Sequence, residues 1–165
     1  MRPYIPALAK LYQPLDWLAW PLVRITIGAL LMPHGWQKLS GDMAVVALGF
    51  AKAGLEPALV LAWYIACLEF FGGLLLVLGF LTRPVALLVV GFMAVAVVHV
   101  HAGNGFFWTA KGYEYPLMWG LMALAIVIKG AGRWSLDALI GREVGLERKP
   151  LQPPLRRRLS AERAR

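Results

Sequence analysis

Residues 58–80 read ALVLAWYIACLEFFGGLLLVLGF, and this stretch decides the fold. A helix rising about 1.5 Å per residue is long enough over this span to cross a hydrocarbon core of about 30 Å. It carries a single charge, Glu69, near its middle. A lone carboxylate at membrane depth costs about 2.5–3.5 kcal/mol on insertion scales, and is kept where it faces protein or water and has a partner. One and two turns from Glu69 lie Ala62, Ala66 and Gly73. Small residues let a second helix approach closely, so this face is expected to point inward and Glu69 to meet a partner there.

The rest of the chain agrees with a membrane reading. Its 165 residues are 59% hydrophobic, yet the net charge is +8. A mean hydropathy of +0.63 with basic ends describes a membrane protein with positive flanks rather than a soluble domain or a nucleic-acid binder. The length accommodates four short-looped spans and no separate soluble domain. Cys67 is the only cysteine, which excludes an intrachain disulfide and dithiol chemistry by this chain alone. The opening MRPYIPALAKLYQPLDW lacks a continuous apolar core, so no cleavable signal peptide is expected.

Working outward, the chain divides into an N-terminal interfacial lead (1–16), a four-helix transmembrane domain (17–130), and a cytoplasmic amphipathic segment with a basic tail (131–165). The first span is expected from Trp17 to Trp36, with Pro33 kinking or loosening it near His34. Leu39–Pro57 holds a short apolar piece, MAVVALGFAKAG, too short to span. A tight turn at Gly79–Pro84, with Thr82 as a candidate cap, leads into the third span, PVALLVVGFMAVAVVHVH. YPLMWGLMALAIVI makes the fourth. The expected fold is all-α, an integral membrane antiparallel four-helix bundle with a short interfacial or re-entrant helix between spans 1 and 2. Arg2, Lys10, Arg83, Lys129, Arg133, Arg142 and the basic tail fall on one side, and only Lys38, Lys52 and Lys111 on the other. Positive residues stay inside, so both termini are expected in the cytoplasm.

Depth along the helices selects the candidate chemistry. Arg24 lies near the level of Glu69 in the first span, and buried opposite charges tend to pair. An Arg24–Glu69 ion pair is therefore expected. All three histidines fall near the outer ends of spans, about 10 Å from the midplane by helix rise. His34, Lys38, His99, His101 and Glu114 thus share one level. His99 and His101 are two residues apart and face opposite ways on a helix, so both enter one pocket only if the helix has unwound by His101. The expected pocket joins His34, His99 and Glu114 above Glu69, with Trp36, Phe92, Phe106 and Phe107 as walls. Gly72, Gly73 and Gly91 read as packing positions and Gly103–Gly105 as a turn, since no strand precedes it.

Three of these stretches together resemble the DoxX family of small four-helix bacterial membrane proteins. They are RITIGALLMPHGWQKL, LEFFGGLLLVLGFLTRPVAL, and HVHAGNGFF followed by GYEYPL. The resemblance covers about Leu22–Asp137 and implies the fold together with a role in membrane redox work. One branch of the family looks like the quinone-reducing partner in thiosulfate oxidation. Another belongs to an oxidative-stress complex with superoxide dismutase and a sulfurtransferase, and related proteins accompany quinone or catechol detoxification and metal-peptide maturation. The expected function is accordingly a redox-associated subunit of the bacterial inner membrane. It would bind a quinone in an outer-leaflet pocket and work with a partner oxidoreductase, with no intrinsic cofactor and no metal site. His34, Glu69, His99 and Glu114 are the candidate catalytic residues. Arg24, Lys38, His101 and Arg83 are the candidate substrate-binding residues. The partners expected are membrane lipid, a quinone-like small molecule and a redox protein, not nucleic acid. Two other readings stand beside it: a bis-histidine metal or haem site on His34 and His99, and a non-catalytic membrane partner or small-anion binder using Arg24, Lys38 and Arg83.

Overall fold

Long apolar runs satisfy their own backbone groups as helices, and helices are what this chain forms. The computed structural model describes residues 5–144, and there is no strand among them. A short α1 (Pro6–Tyr12) leads into α2 (Asp16–Ser40). The short α3 (Met43–Lys52) follows, then α4 (Ala58–Cys67), which continues through a π-helical turn at Leu68–Gly72 into α5 (Gly73–Leu78). After a tight turn, α6 (Thr82–Val95) ends in a second π-helical turn, Ala96–His101. A loop leads to α7 (Glu114–Lys129), and α8 (Leu136–Ile140) closes the described region. Three helical stretches are long and apolar enough to cross a membrane: Lys10–Ser40, Ala58–Leu78 and Thr82–Asn104.

One core draws on all the long helices. Ile27 and Leu31 of α2 meet Ile65, Leu68 and Leu76 of the α4–α5 stretch, Val85, Val89 and Met93 of α6, and Ala123 and Ile126 of α7. Glycines set how closely α2 approaches α5. A Cβ on Gly73 would lie 2.7 Å from the Gly28 carbonyl oxygen, and one on Gly35 would lie 2.8 Å from Phe70 Cα. These contacts flank Pro33 on both sides. The expected loosening at Pro33 is not observed: α2 runs through Pro21 and Pro33 unbroken. Neighbouring helices hold the backbone where the proline removes a donor.

The short apolar piece between the first two long helices does form a helix. The Asp42 carboxylate caps α3 by accepting from Ala44 N at 2.8 Å. Met43 and Ala47 then pack on Ala58, Ala62 and Ala66 of α4.

The turn between α5 and α6 is closed from a distance. Gly79 (φ +68°) and Leu81 (φ +48°) adopt left-handed conformations. Thr82, expected as the cap, does not cap, and its hydroxyl has no hydrogen-bond partner among the described residues. The Asp137 carboxylate accepts instead from Leu81 N (2.9 Å) and Thr82 N (3.0 Å). A carboxylate takes two amide donors at once and its charge suits a helix N-terminus, so it displaces a local hydroxyl.

The segment expected to be a separate amphipathic piece is docked on the helices. Ser135 caps α8 through Ala138 N (3.1 Å), and Asp137 N donates to Gly79 O (2.9 Å). Trp20 Nε1 donates to Gly130 O (2.9 Å). Arg83 pairs with Glu143 at 3.3 Å. The basic tail lies outside the described residues, as do residues 1–4 of the expected interfacial lead.

Candidate functional site

On α2, Leu31, His34 and Lys38 fall on one face because residues three and four apart on a helix are neighbours. They look into a cavity of about 260 Å³. Ile65 and Glu69 form its second side, and Phe92, Ala96 and His101 its third. Tyr115, Pro116 and Trp119 of α7 close the fourth, and Phe50 of α3 contributes an edge. The two residues with most chemistry on the α4–α5 and α6 sides, Glu69 and His101, both lie in π-helical turns. Such turns widen the helix by one residue and often occur at functional sites.

Glu69 has a partner, and it is Lys38. The two form a hydrogen-bonded ion pair in which the Glu69 side chain is 5% exposed and that of Lys38 25%. The expected Arg24–Glu69 pair is absent. Arg24 is 1% exposed and donates to Leu76 O (3.2 Å) and Trp134 O (2.5 Å) at the other end of the protein. The reason is the direction of side chains on a helix, which lean toward its N-terminus. Arg24 therefore reaches away from Glu69. Lys38 reaches back toward it, passing His34 O at 3.5 Å.

His101 is held at both ring nitrogens. Nδ1 lies 2.6 Å from Lys111 O and Nε2 lies 2.9 Å from the Tyr115 hydroxyl. A carbonyl only accepts, so Nδ1 carries the proton. In the neutral ring, Nε2 then accepts from Tyr115. The two rings meet edge to face, with centroids 5.0 Å apart. A tyrosine hydroxyl backed by an imidazole, beside a lysine–glutamate pair, provides donors and a proton relay on an otherwise apolar wall.

Other expected members are elsewhere. His99 is exposed and does not line the cavity, because the π-helical turn directs His101 inward instead. Glu114 braces the loop before α7: its carboxylate accepts from Trp108 N (3.0 Å) and its amide donates to Phe106 O (2.9 Å). Of the expected walls only Phe92 lines the cavity. Trp36 is 59% exposed and packs on Phe70, while Phe106 and Phe107 pack on each other in the loop. Arg83 bonds Glu143 and Ile128 O (3.2 Å), so Arg24, Lys38 and Arg83 share no anion site. His34 and His99 do not share the cavity either. Among the described residues, no three of His, Cys, Asp and Glu form a group that could hold a metal. Sequence reasoning missed Tyr115, Trp119 and Phe50. The first two were accessible as an aromatic pair four residues apart on one face of α7.

The fold and cavity define a small all-helical membrane protein with a mainly apolar pocket that carries a few polar side chains between its helices. The DoxX family profile matches residues 19–102. The chain is 34% identical over 118 residues to an uncharacterized protein of Haemophilus influenzae, covering 70% of this chain and 85% of that one. It is 30% identical over 124 residues to the inner membrane protein YqjF of Escherichia coli, covering 74% of this chain and 92% of that one. The chain belongs to the DoxX family. No solved structure matches it.

Proposed function

We propose that this protein binds a quinone headgroup in the cavity between α2, α4–α5, α6 and α7, as the membrane subunit of a quinone-linked redox system. The observation that carries the reading is the pairing of two polar devices, Lys38–Glu69 and Tyr115–His101, on one apolar cavity. Quinone sites need donors for carbonyl oxygens, an aromatic or aliphatic wall for the ring, and a route for protons. Lys38 is one donor. Tyr115 is the second when His101 carries a proton on both ring nitrogens. The ring then donates Nε2–H to the phenol oxygen, which frees the phenol proton for the quinone. Phe50, Phe92 and Trp119 are the wall. A cavity of about 150 Å³ accepts a benzene ring, so about 260 Å³ suits a substituted one. When bound, a quinone takes up two electrons and two protons to become a quinol. The electrons come from a partner oxidoreductase, because the chain has one cysteine and no redox pair of its own. The Nε2 proton of the His101 imidazolium replaces the one Tyr115 gives up, and the exposed His34 exchanges protons with water at the mouth, with the buried Glu69 behind it.

The same reading makes α7 a fourth crossing, completes an antiparallel four-helix bundle in the bacterial inner membrane, and puts both termini in the cytoplasm with α3 on the outer surface. The name of the Escherichia coli relative, an inner membrane protein, supports the inner-membrane location.

The test is binding of a water-soluble benzoquinone to the purified protein, followed by quenching of tryptophan fluorescence. Lys38→Met and Tyr115→Phe are each expected to weaken binding by about tenfold, the loss of one charged or well-placed hydrogen bond. Unchanged affinity in both variants would discard the site.

A further inference from the structure

The orientation of His101 is set by the loop that follows it. The Lys111 carbonyl oxygen lies 2.6 Å from Nδ1, and the same oxygen accepts from Asn104 Nδ2 at 3.2 Å. A loop closed on itself carries that oxygen into place. Tyr113 N donates to Gly105 O (3.0 Å), Gly112 N to Phe107 O (2.9 Å) and Lys111 N to Trp108 O (2.9 Å). Lys111 is left-handed (φ +62°), which is uncommon for a residue with a side chain. Gly112 is pressed against the Gly105–Phe106 peptide, where a Cβ would lie 2.3 Å from Gly105 O. A neutral imidazole has one proton for two nitrogens. With Nδ1–H fixed on a carbonyl, Nε2 is bare, and the Tyr115 hydroxyl 2.9 Å away donates to it. The phenol proton is then held by the ring and is not offered to the cavity. The opposite tautomer would set Nε2–H against the phenol oxygen and leave the phenol proton free whatever the pH.

We infer that Asn104 is a positioning residue: through the Lys111 carbonyl it holds His101 in the Nδ1–H tautomer, so that Tyr115 donates into the cavity only when His101 is charged. A second proton, taken from water, enters at Nε2 alone and reverses the bond to Tyr115. Nε2–H then donates, the phenol oxygen accepts, and the phenol proton turns to the cavity. The tautomer needs no ligand. The ligand that receives the phenol proton rests on the quinone reading. A carbonyl ligand that binds the charged state takes up one proton at His101, so its affinity is complete at low pH. It falls as pH rises, by up to about tenfold per pH unit for one proton. Other titratable groups surround the ring. His34, Lys38 and Glu69 share its cavity, Glu114 and Tyr115 come from α7, Lys111 and Tyr113 from the loop, and His99 from its own helical turn. The test therefore compares chains that differ at none of the lysine, glutamate and tyrosine positions.

The experiment uses the full chain in detergent with His34→Gln and His99→Gln, which leaves His101 as its one histidine, labelled with nitrogen-15. In this parent the ring nitrogen signals should place the neutral proton on Nδ1. Asn104→Leu keeps the size of the side chain and removes its donor at an exposed position. It should raise the Nε2–H form by about twofold to tenfold, the loss of one neutral hydrogen bond. Gly112→Ala, which pushes the loop off Gly105, should act in the same direction. Affinity for 2,3-dimethoxy-5-methylbenzoquinone is then followed from about pH 5 to pH 8. It should fall with rising pH in the parent and less steeply in Asn104→Leu, so that at the upper end the variant binds more tightly, by the factor its tautomer ratio has moved. A merely structural defect would weaken binding throughout. A parent ring protonated on Nε2, or a tautomer ratio unmoved in both variants, overturns the assignment. A parent affinity independent of pH overturns the gate. If the parent binds no quinone at any pH, the quinone reading falls, and the ring signals, read without ligand, still decide the role of Asn104.

Discussion

At the residue scale, the site depends on which way two long cations lean. Arg24 and Lys38 sit on the same helix, 14 positions apart, about 21 Å by helix rise. Both extend toward the N-terminus of α2, so Lys38 comes down to Glu69 and Arg24 moves away. Breaking a buried ion pair by removing one member leaves an uncompensated charge, at a cost of about 3–5 kcal/mol. Because Lys38 is 25% exposed, the cost here should lie at or below the low end of that range. Lys38→Met alone should therefore destabilise the protein more than the double variant Lys38→Met/Glu69→Gln, as read by thermal unfolding in detergent. Additive effects would mean the pair contributes nothing. At the second polar device, Tyr115→Phe removes a hydroxyl that is part of a half-exposed side chain. It should leave unfolding within about 0.5 kcal/mol of wild type while impairing quinone binding, which separates a ligand-facing role from a structural one.

At the scale of elements, the helices are positioned by close approach and by caps contributed from far along the chain. Gly28 and Gly73 bring α2 and α5 together, and Gly28→Val places a branched side chain against the backbone of the partner helix. Overpacking of this kind costs about 1–3 kcal/mol, and the expected result is a lower unfolding temperature with loss of the cavity. The α6 N-terminus depends on Asp137. Asp137→Ala should cost about 1–2 kcal/mol, the range for loss of an N-cap, whereas Thr82→Ala should cost little because its hydroxyl caps nothing. Comparing the two variants by thermal unfolding decides between the local and the remote cap. Gly79 has no tolerant substitution: its φ is +68°, and a Cβ would lie 2.6 Å from the Arg24 guanidinium carbon.

At the scale of the whole molecule, apolar side chains face outward as well as inward. Leu22, Leu30, Val60, Leu87, Leu121 and Ile128 are all more than half exposed, a surface suited to lipid tails rather than water. The segment from Gly130 to Glu143 seals one end through Trp20, Arg24, Gly79 and Arg83. Arg24→Gln should loosen this seal and expose the segment after Lys129 to limited proteolysis, while binding of the proposed quinone at the other end is unchanged. Orientation is tested by cysteine labelling in a Cys67→Ser background. A cysteine at Ala53 should react with an impermeant reagent from outside the cell and one at Ala161 should not. The reverse pattern would invert the proposed topology.

The sequence by itself determined what depends on local pattern. The apolar runs specify which stretches are long enough to cross a membrane, Asp42 and the run after it specify α3, and the small face beside Glu69 specifies that the carboxylate turns inward. His34, Lys38 and His101 were legible as members of one layer above Glu69, with Phe92 as a wall, because depth along a helix is a matter of counting residues; the same count also put His99 and Glu114 there. Tertiary structure alone decided the partners. Glu69 chose Lys38 over Arg24 through the lean of side chains, and a π-helical turn brought His101 in and left His99 out. Asp137 reached across 55 residues to cap Thr82 N. None of these is carried by spacing, because each depends on how one helix is rotated and seated against another, and that is settled by packing of the whole core.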